Sequence, residues 1–167
     1  MHRFLATVTR PGSSFGYVIG LKNDNLGSHA SFLRRAKRVV EKKKIFVVDD
    51  EQDIVRALTI RLRSNGYEVI SAFDGEEAVL LAHKENPDLI ILDIRMPAGD
   101  GFNAAERLKQ SEHTRHIPVI FLTGSPDRDA EGKAAALGAR FYIKKPYDAE
   151  ELLDAVRRAL AAEAPDV

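Results

Sequence analysis

From residue 44 onward, short apolar runs alternate with stretches in which apolar positions recur every three or four residues. Residues 45–48, 68–72, 89–92, 119–122 and 141–143 read as strands, most of them continuous rather than alternating, the pattern of strands covered on both faces. Between them, 52–64 carries Ile54, Leu58 and Leu62 at spacing four and 76–84 carries Val79 and Leu80; 103–110, 129–137 and 150–162 complete the helical set. In the last, Leu152, Leu153, Val156 and Leu160 form one stripe, with Asp154 and Arg158 at i, i+4 on the other side. Asn65-Gly66 and Leu137-Gly138 mark helix ends; Asp74 and Asp148, each with a glutamate three places on (Glu77, Glu151), mark N-caps. Five strands alternating with five helices predict an α/β domain over 44–162, a doubly wound parallel five-stranded sheet with right-handed crossovers, and leave 163–167 as a tail.

Residues 1–43 follow no such pattern and read as a basic, partly disordered N-terminal extension. Residues 1–25 mix Gly, Ser and Asn with brief apolar bits, too short for a signal peptide and only weakly like an organelle transit peptide. Over 31–43, Phe32, Leu33, Ala36, Val39 and Val40 fall on one helical face, with Arg34, Arg35, Lys37, Arg38 and Lys42 opposite. Such a basic amphipathic helix suits either an anionic surface or partner, or a solvated lead-in. A third reading takes 1–39 as an over-extended frame, since Val39 or Val40 can reflect an alternative start.

The zero formal charge hides this division, because residues 1–44 hold ten basic and two acidic side chains (+8) and 45–167 hold fifteen and twenty-three (−8). A basic arm thus precedes an acidic domain. The 167 residues allow one domain with a tail; 44% hydrophobic and 30% charged residues are a globular composition, and no apolar stretch approaches the ~18 residues of a membrane span. Absence of Cys excludes disulfides, thiolate metal sites and cysteine nucleophiles, and fits a reducing compartment; the expectation is a soluble, cytoplasmic protein.

In a doubly wound fold the ligand lies beyond the carboxyl ends of the strands. Those ends carry Asp49-Asp50-Glu51, Asp93, Thr123 and Lys144-Lys145-Pro146. Clustered carboxylates repel and raise at least one pKa, so the arrangement needs a cation; with hard oxygen ligands and no Cys, that cation is Mg2+. Magnesium in an open carboxylate site completes its shell from a phosphate-bearing substrate. One carboxylate can then attack phosphorus and form an acyl phosphate, while the lysine offsets charge and the hydroxyl donates a hydrogen bond. Asp93 is the candidate nucleophile, since it ends a buried run and precedes the turn-rich residues 94–101. Singly, each residue has a bland reading as a cap, a strand-end hydroxyl or a solvated charge; jointly, those readings would have to coincide at four strand ends. His83, His113 and His116 gain no such support and read as surface residues.

Four segments, IFVVDDE (45–51), LDIRMPAGDG (92–101), FLTG (121–124) and GARFYIKKPY (138–147), in this order and spacing, resemble the receiver domain of two-component response regulators. The resemblance implies the CheY-like, flavodoxin-like (βα)5 fold with strand order 2-1-3-4-5. It also implies Asp93 as phosphoacceptor, Asp50 as direct Mg2+ ligand, Asp49 as a second acid acting largely through metal-bound water, and Arg95 as a ligand through its backbone carbonyl. Thr123 would hold the phosphoryl group; the family lysine directly precedes proline, making it Lys145 rather than Lys144, with a cis bond to Pro146. Tyr142 falls at the aromatic switch position.

Three rivals are weighed against this reading. A magnesium-dependent phosphatase of the haloacid dehalogenase type needs a second aspartate two places after the first, where Arg95 stands. A degenerate receiver predicts lost acids, and Asp49, Asp50, Asp93, Thr123 and Lys145 are all present. A DNA-binding regulator needs an output domain, for which the seventeen residues after Glu150 leave no room. The expectation is therefore a stand-alone receiver that turns over no separate substrate and catalyses only its own phosphorylation and dephosphorylation. A histidine kinase or phosphotransfer protein would be its donor, and a downstream protein would bind the helix 4, strand 5 and helix 5 face; any contact with nucleic acid or membrane would fall to the arm. Gly124 leaves little cover over the phosphoryl group, with Arg95 and Ser125 near the approach of water, so dephosphorylation should not be unusually slow.

Overall fold

The computed structural model describes residues 42–96, 101–124 and 128–161. The basic extension with its amphipathic stretch, most of the turn-rich loop after Met96, Ser125 and the tail lie outside the described residues. The order is β1 (Lys44–Val48), α1 (Gln52–Ser64), β2 (Glu68–Ala72), α2 (Gly75–Glu85), β3 (Leu89–Asp93), α3 (Gly101–Gln110), β4 (Val119–Thr123), α4 (Arg128–Ala136), β5 (Phe141–Lys144) and α5 (Ala149–Ala161). All strand pairs are parallel, and the sheet runs β2-β1-β3-β4-β5.

The inner strands β1, β3 and β4 are apolar along almost their whole length because their two sets of alternate residues serve different layers. Phe46, Val48, Ile90, Leu92, Val119 and Phe121 pack with Ala78, Val79, Phe102, Ala105, Leu108 and Ala134, placing α2, α3 and α4 on one face. Ile45, Val47, Leu89, Ile91, Ile120, Leu122 and Ile143 pack with Val55, Leu58, Leu62, Leu152, Leu153 and Val156, placing α1 and α5 on the other. A fully buried Leu or Ile of this kind contributes about 1.5–3 kcal/mol relative to exposure.

Local signals set the helix ends. The Asp74 carboxylate accepts from Glu77 N at 2.8 Å, and the Glu77 carboxylate in turn accepts from Phe73 N at 3.0 Å. Asp148 Oδ1 accepts from Glu150 N at 2.7 Å ahead of α5. Gly66 (φ 89°) and Gly138 (φ 70°) turn the chain out of α1 and α4 in the left-handed region, as their positions predict.

The structure differs from the periodicity in detail. Strands β3 and β4 run one residue further, so that Asp93 still pairs with Leu122 and Thr123 with Lys144: the hydrogen-bonded ladder does not stop where the apolar run stops. Helix α3 begins at Gly101 rather than 103, because Gly101 lies directly on the strand backbone.

Candidate functional site

The strand ends bring Asp49, Asp50, Asp93 and Lys145 together, and Thr123, which ends β4, is tied to Lys145 through its backbone carbonyl. Asp49 directly follows β1; its N–H donates to the Ala72 carbonyl at 3.3 Å, and its carboxylate Oδ1 accepts from Glu51 N at 2.9 Å. Asp93 ends β3, and its Oδ2 accepts from Arg95 N at 3.0 Å. Both carboxylates are nearly inaccessible, at 1% and 3% exposure, and Asp50 is more open. One carboxylate oxygen from each of Asp49, Asp50 and Asp93 lies within 4.8 Å of the others.

Lys145 reaches this group from beyond β5. Its N–H donates to the Thr123 carbonyl at 2.6 Å, fixing it beside β4, and its ammonium lies 2.7 Å from Asp49 Oδ2 and 3.0 Å from Asp93 Oδ1. The first contact is a charge-assisted hydrogen bond; the second is an ion pair, and Oδ1 of Asp93 has no hydrogen-bond partner of ordinary geometry among the described residues. Burial raises the Asp93 pKa from its ordinary 3.8, with the Asp49 charge adding to the rise, although Lys145 and the Arg95 N–H pull the other way. For Lys145, burial alone would lower the pKa, but its bond to Asp49 and the attraction of Asp93 outweigh it, and the net shift is upward from 10.5. The lysine is therefore held charged.

Three carboxylates against one ammonium leave an excess of two negative charges in a partly enclosed pocket. With oxygen donors only, and with a buried carboxylate oxygen lacking a hydrogen bond, the residues fit a hard divalent cation such as Mg2+.

The other sequence candidates sit around this centre. Thr123 is 1% exposed at the end of β4. Arg95 is exposed, and its main chain is what faces Asp93. The Lys145–Pro146 bond is cis. Tyr142 lies opposite Phe121 in the β4–β5 register, half-buried against the α2–α4 layer, and its hydroxyl is enclosed with no hydrogen-bond partner among the described residues. His83 and His113 are exposed, their rings edge to face at 6.2 Å.

Two residues near the site escaped sequence reasoning. Tyr147 packs against the α1–α5 layer close enough to the cleft to feel Lys145, Asp49 and Asp93; burial is the main cause that raises its pKa from 10.0. Its place directly after the cis proline was the available signal. Gly101, ten residues along the segment that begins at Leu92, touches the Asp93 backbone.

Residues 45–157 match the response regulator receiver domain family. The alkaline phosphatase synthesis transcriptional regulatory protein PhoP of Bacillus subtilis (strain 168) is 40% identical over 118 residues, which are 71% of this chain and 48% of PhoP. The chain thus spans about half the length of this and other transcriptional regulators it matches. Chemotaxis protein CheY4 of Vibrio cholerae superposes with a TM-score of 0.68 at 32% identity, covering 71% of this chain and 99% of CheY4. The receiver domain of sensor histidine kinase PA1611 from Pseudomonas aeruginosa PAO1, solved with a magnesium ion in its active-site cleft, superposes at 0.67 with 29% identity, covering 72% and 99%.

Proposed function

Since the chain belongs to the response regulator receiver family, we propose that Asp93 accepts a phosphoryl group in a Mg2+-dependent reaction and that the acyl phosphate acts as a signal. The observation that carries this reading is the convergence of Asp49, Asp50, Asp93 and Lys145 in one cleft at the strand ends. The donor would be the phosphohistidine of a histidine kinase or phosphotransfer protein. An Asp93 oxygen forms the new bond to phosphorus, the P–N bond breaks, and the imidazole leaves with the electron pair and takes up a proton.

Asp49, Asp50, Asp93 and the Arg95 carbonyl would hold Mg2+, which when bound would offset charge on the phosphoryl oxygens. Lys145, already 3.0 Å from Asp93, supplies the second positive charge, and the Thr123 hydroxyl donates a hydrogen bond to the transferred group. Hydrolysis returns the carboxylate: water attacks phosphorus and the acyl O–P bond breaks. At Gly124 an added Cβ would meet nothing within 4 Å, which supports an open approach for that water.

No described helix is long and apolar enough to cross a membrane, and a cytoplasmic location is part of the proposal because its donor would be a histidine kinase or phosphotransfer protein. Output passes through a protein that binds the α4, β5 and α5 face. The test is intact-mass spectrometry after incubation with acetyl phosphate and Mg2+. One acid-labile phosphate is expected, absent in Asp93→Asn and absent when metal is chelated; label that persists in either case would refute the reading.

A further inference from the structure

We propose that Gly101 is a positioning residue for Asp93: α3 starts in direct contact with the Asp93 peptide, and that contact, possible only without a side chain, holds the carboxylate in line for the metal and the phosphoryl group. The assignment rests on Asp93 as phosphoacceptor. A Cβ at Gly101 would lie 2.9 Å from the Ile94 Cα and 3.0 Å from the Asp93 carbonyl carbon, and nearer still to that carbonyl's oxygen. All three are backbone atoms, and the backbone here is pinned. Ile94 N donates to the Leu122 carbonyl of β4 at 3.0 Å, and Gly101 N donates to the Ile94 carbonyl at 3.0 Å. The carboxylate that grows from this peptide is fixed at its far end by Arg95 N, 3.0 Å from Oδ2, and by Lys145, 3.0 Å from Oδ1. A methyl group at Gly101 must therefore push the Asp93 peptide, and the push reaches both carboxylate contacts.

Space, not torsion, sets this demand. The left-handed glycines among the described residues are Gly66 and Gly138, so an L-residue suits the Gly101 backbone. Alanine would even favour the helix by about 1 kcal/mol on propensity, which opposes any loss through helix formation alone. Gly132, within α4, is the contrast, because an added Cβ there meets nothing within 4 Å.

The experiment compares the full chain with Gly101→Ala and Gly132→Ala. It follows melting temperature, Mg2+ affinity by calorimetry, the rate of Asp93 phosphorylation by acetyl phosphate at saturating Mg2+, and the Arg95 amide resonance. Gly132→Ala should match the parent in Mg2+ affinity, phosphorylation rate and Arg95 resonance, and should melt slightly higher, as the helix propensity of alanine requires. Gly101→Ala should fold, shift the Arg95 amide and slow phosphorylation about ten- to a hundredfold, the loss expected from a sub-ångström to 1 Å misplacement. If Gly101→Ala fails to fold, or folds with the parent rate and Arg95 resonance, Gly101 is a packing residue only and the assignment falls. If the parent itself takes no phosphate on Asp93, the phosphoacceptor reading has failed separately, and the Arg95 resonance still decides whether Gly101 positions the carboxylate.

Discussion

Asp93 and Lys145 show how the same burial acts with opposite sign on two neighbours. Asp93 has a raised pKa because it is desolvated, so the folded chain binds its proton more readily than the unfolded chain does. Its contribution to stability therefore declines as pH rises from 3.8 through the raised value. Asp93→Asn should accordingly melt higher than the parent in metal-free buffer at pH 7, with the difference fading below pH 3.8; calorimetric melts across that range check it. Lys145 is also raised, but as a cation its contribution is fully present below 10.5 and is lost as pH climbs through the raised value. Lys145→Met leaves Asp49 and Asp93 buried without their counter-ion and should cost about 3 kcal/mol at pH 7, measured by urea unfolding. The two substitutions should not add: the double variant should lose clearly less than the sum, because once Asp93 is neutral only Asp49 is left unpaired.

At the level of elements, the features readable from sequence are those with a local cause. Continuous apolar runs mark most of the strands, since a strand covered on both faces has no polar side to betray it, while edge strand β2 keeps Glu68 and Ser71; the Asp74, Asp148, Gly66 and Gly138 boundaries follow from cap and turn chemistry. Asp74→Ala should cost about 1 kcal/mol by removing the acceptor for Glu77 N, read as a lower midpoint in urea with an unchanged slope. What stayed hidden depends on distant partners. Phe46 and Val47 are equally apolar neighbours, yet they belong to different layers, and only the folded sheet separates them. Helix α2 ends at Asn86 in the left-handed region (φ 44°), ahead of Pro87, a stop that periodicity alone does not show. The site residues were legible because each strand end is a local feature and the topology brings strand ends together. The Lys145–Asp49 bond joins residues 96 apart, and the Gly101 contact is a matter of tenths of an ångström; neither leaves a trace in spacing.

Over the whole molecule, the proposed function ties ligand binding at the strand ends to stability and to a more distant surface. A ligand that binds only the folded chain adds RT ln(1 + [L]/Kd), about 1.4 kcal/mol at ten times Kd. Mg2+ should thus raise the melting temperature by several degrees in the parent, reversibly with chelator, and by much less in Asp50→Asn. The proposed phosphorylation of Asp93 would add a dianion at the strand ends, and a charge-assisted hydrogen bond from the Thr123 hydroxyl would be worth about 1.5–3 kcal/mol, or one to two decades in a two-state equilibrium. Thr123 stands in register with Lys144, two residues beyond Tyr142, whose enclosed hydroxyl has no hydrogen-bond partner among the described residues. Drawing Thr123 toward the phosphoryl group should repack Tyr142 and alter the surface of α4, β5 and α5. Backbone amide shifts on phosphorylation should therefore concentrate at 129–144 and 149–161, and Thr123→Ala should still take phosphate on Asp93 while losing most of those shifts. Shifts that spare this surface, or that survive intact in Thr123→Ala, would show that the signal leaves the cleft by another route.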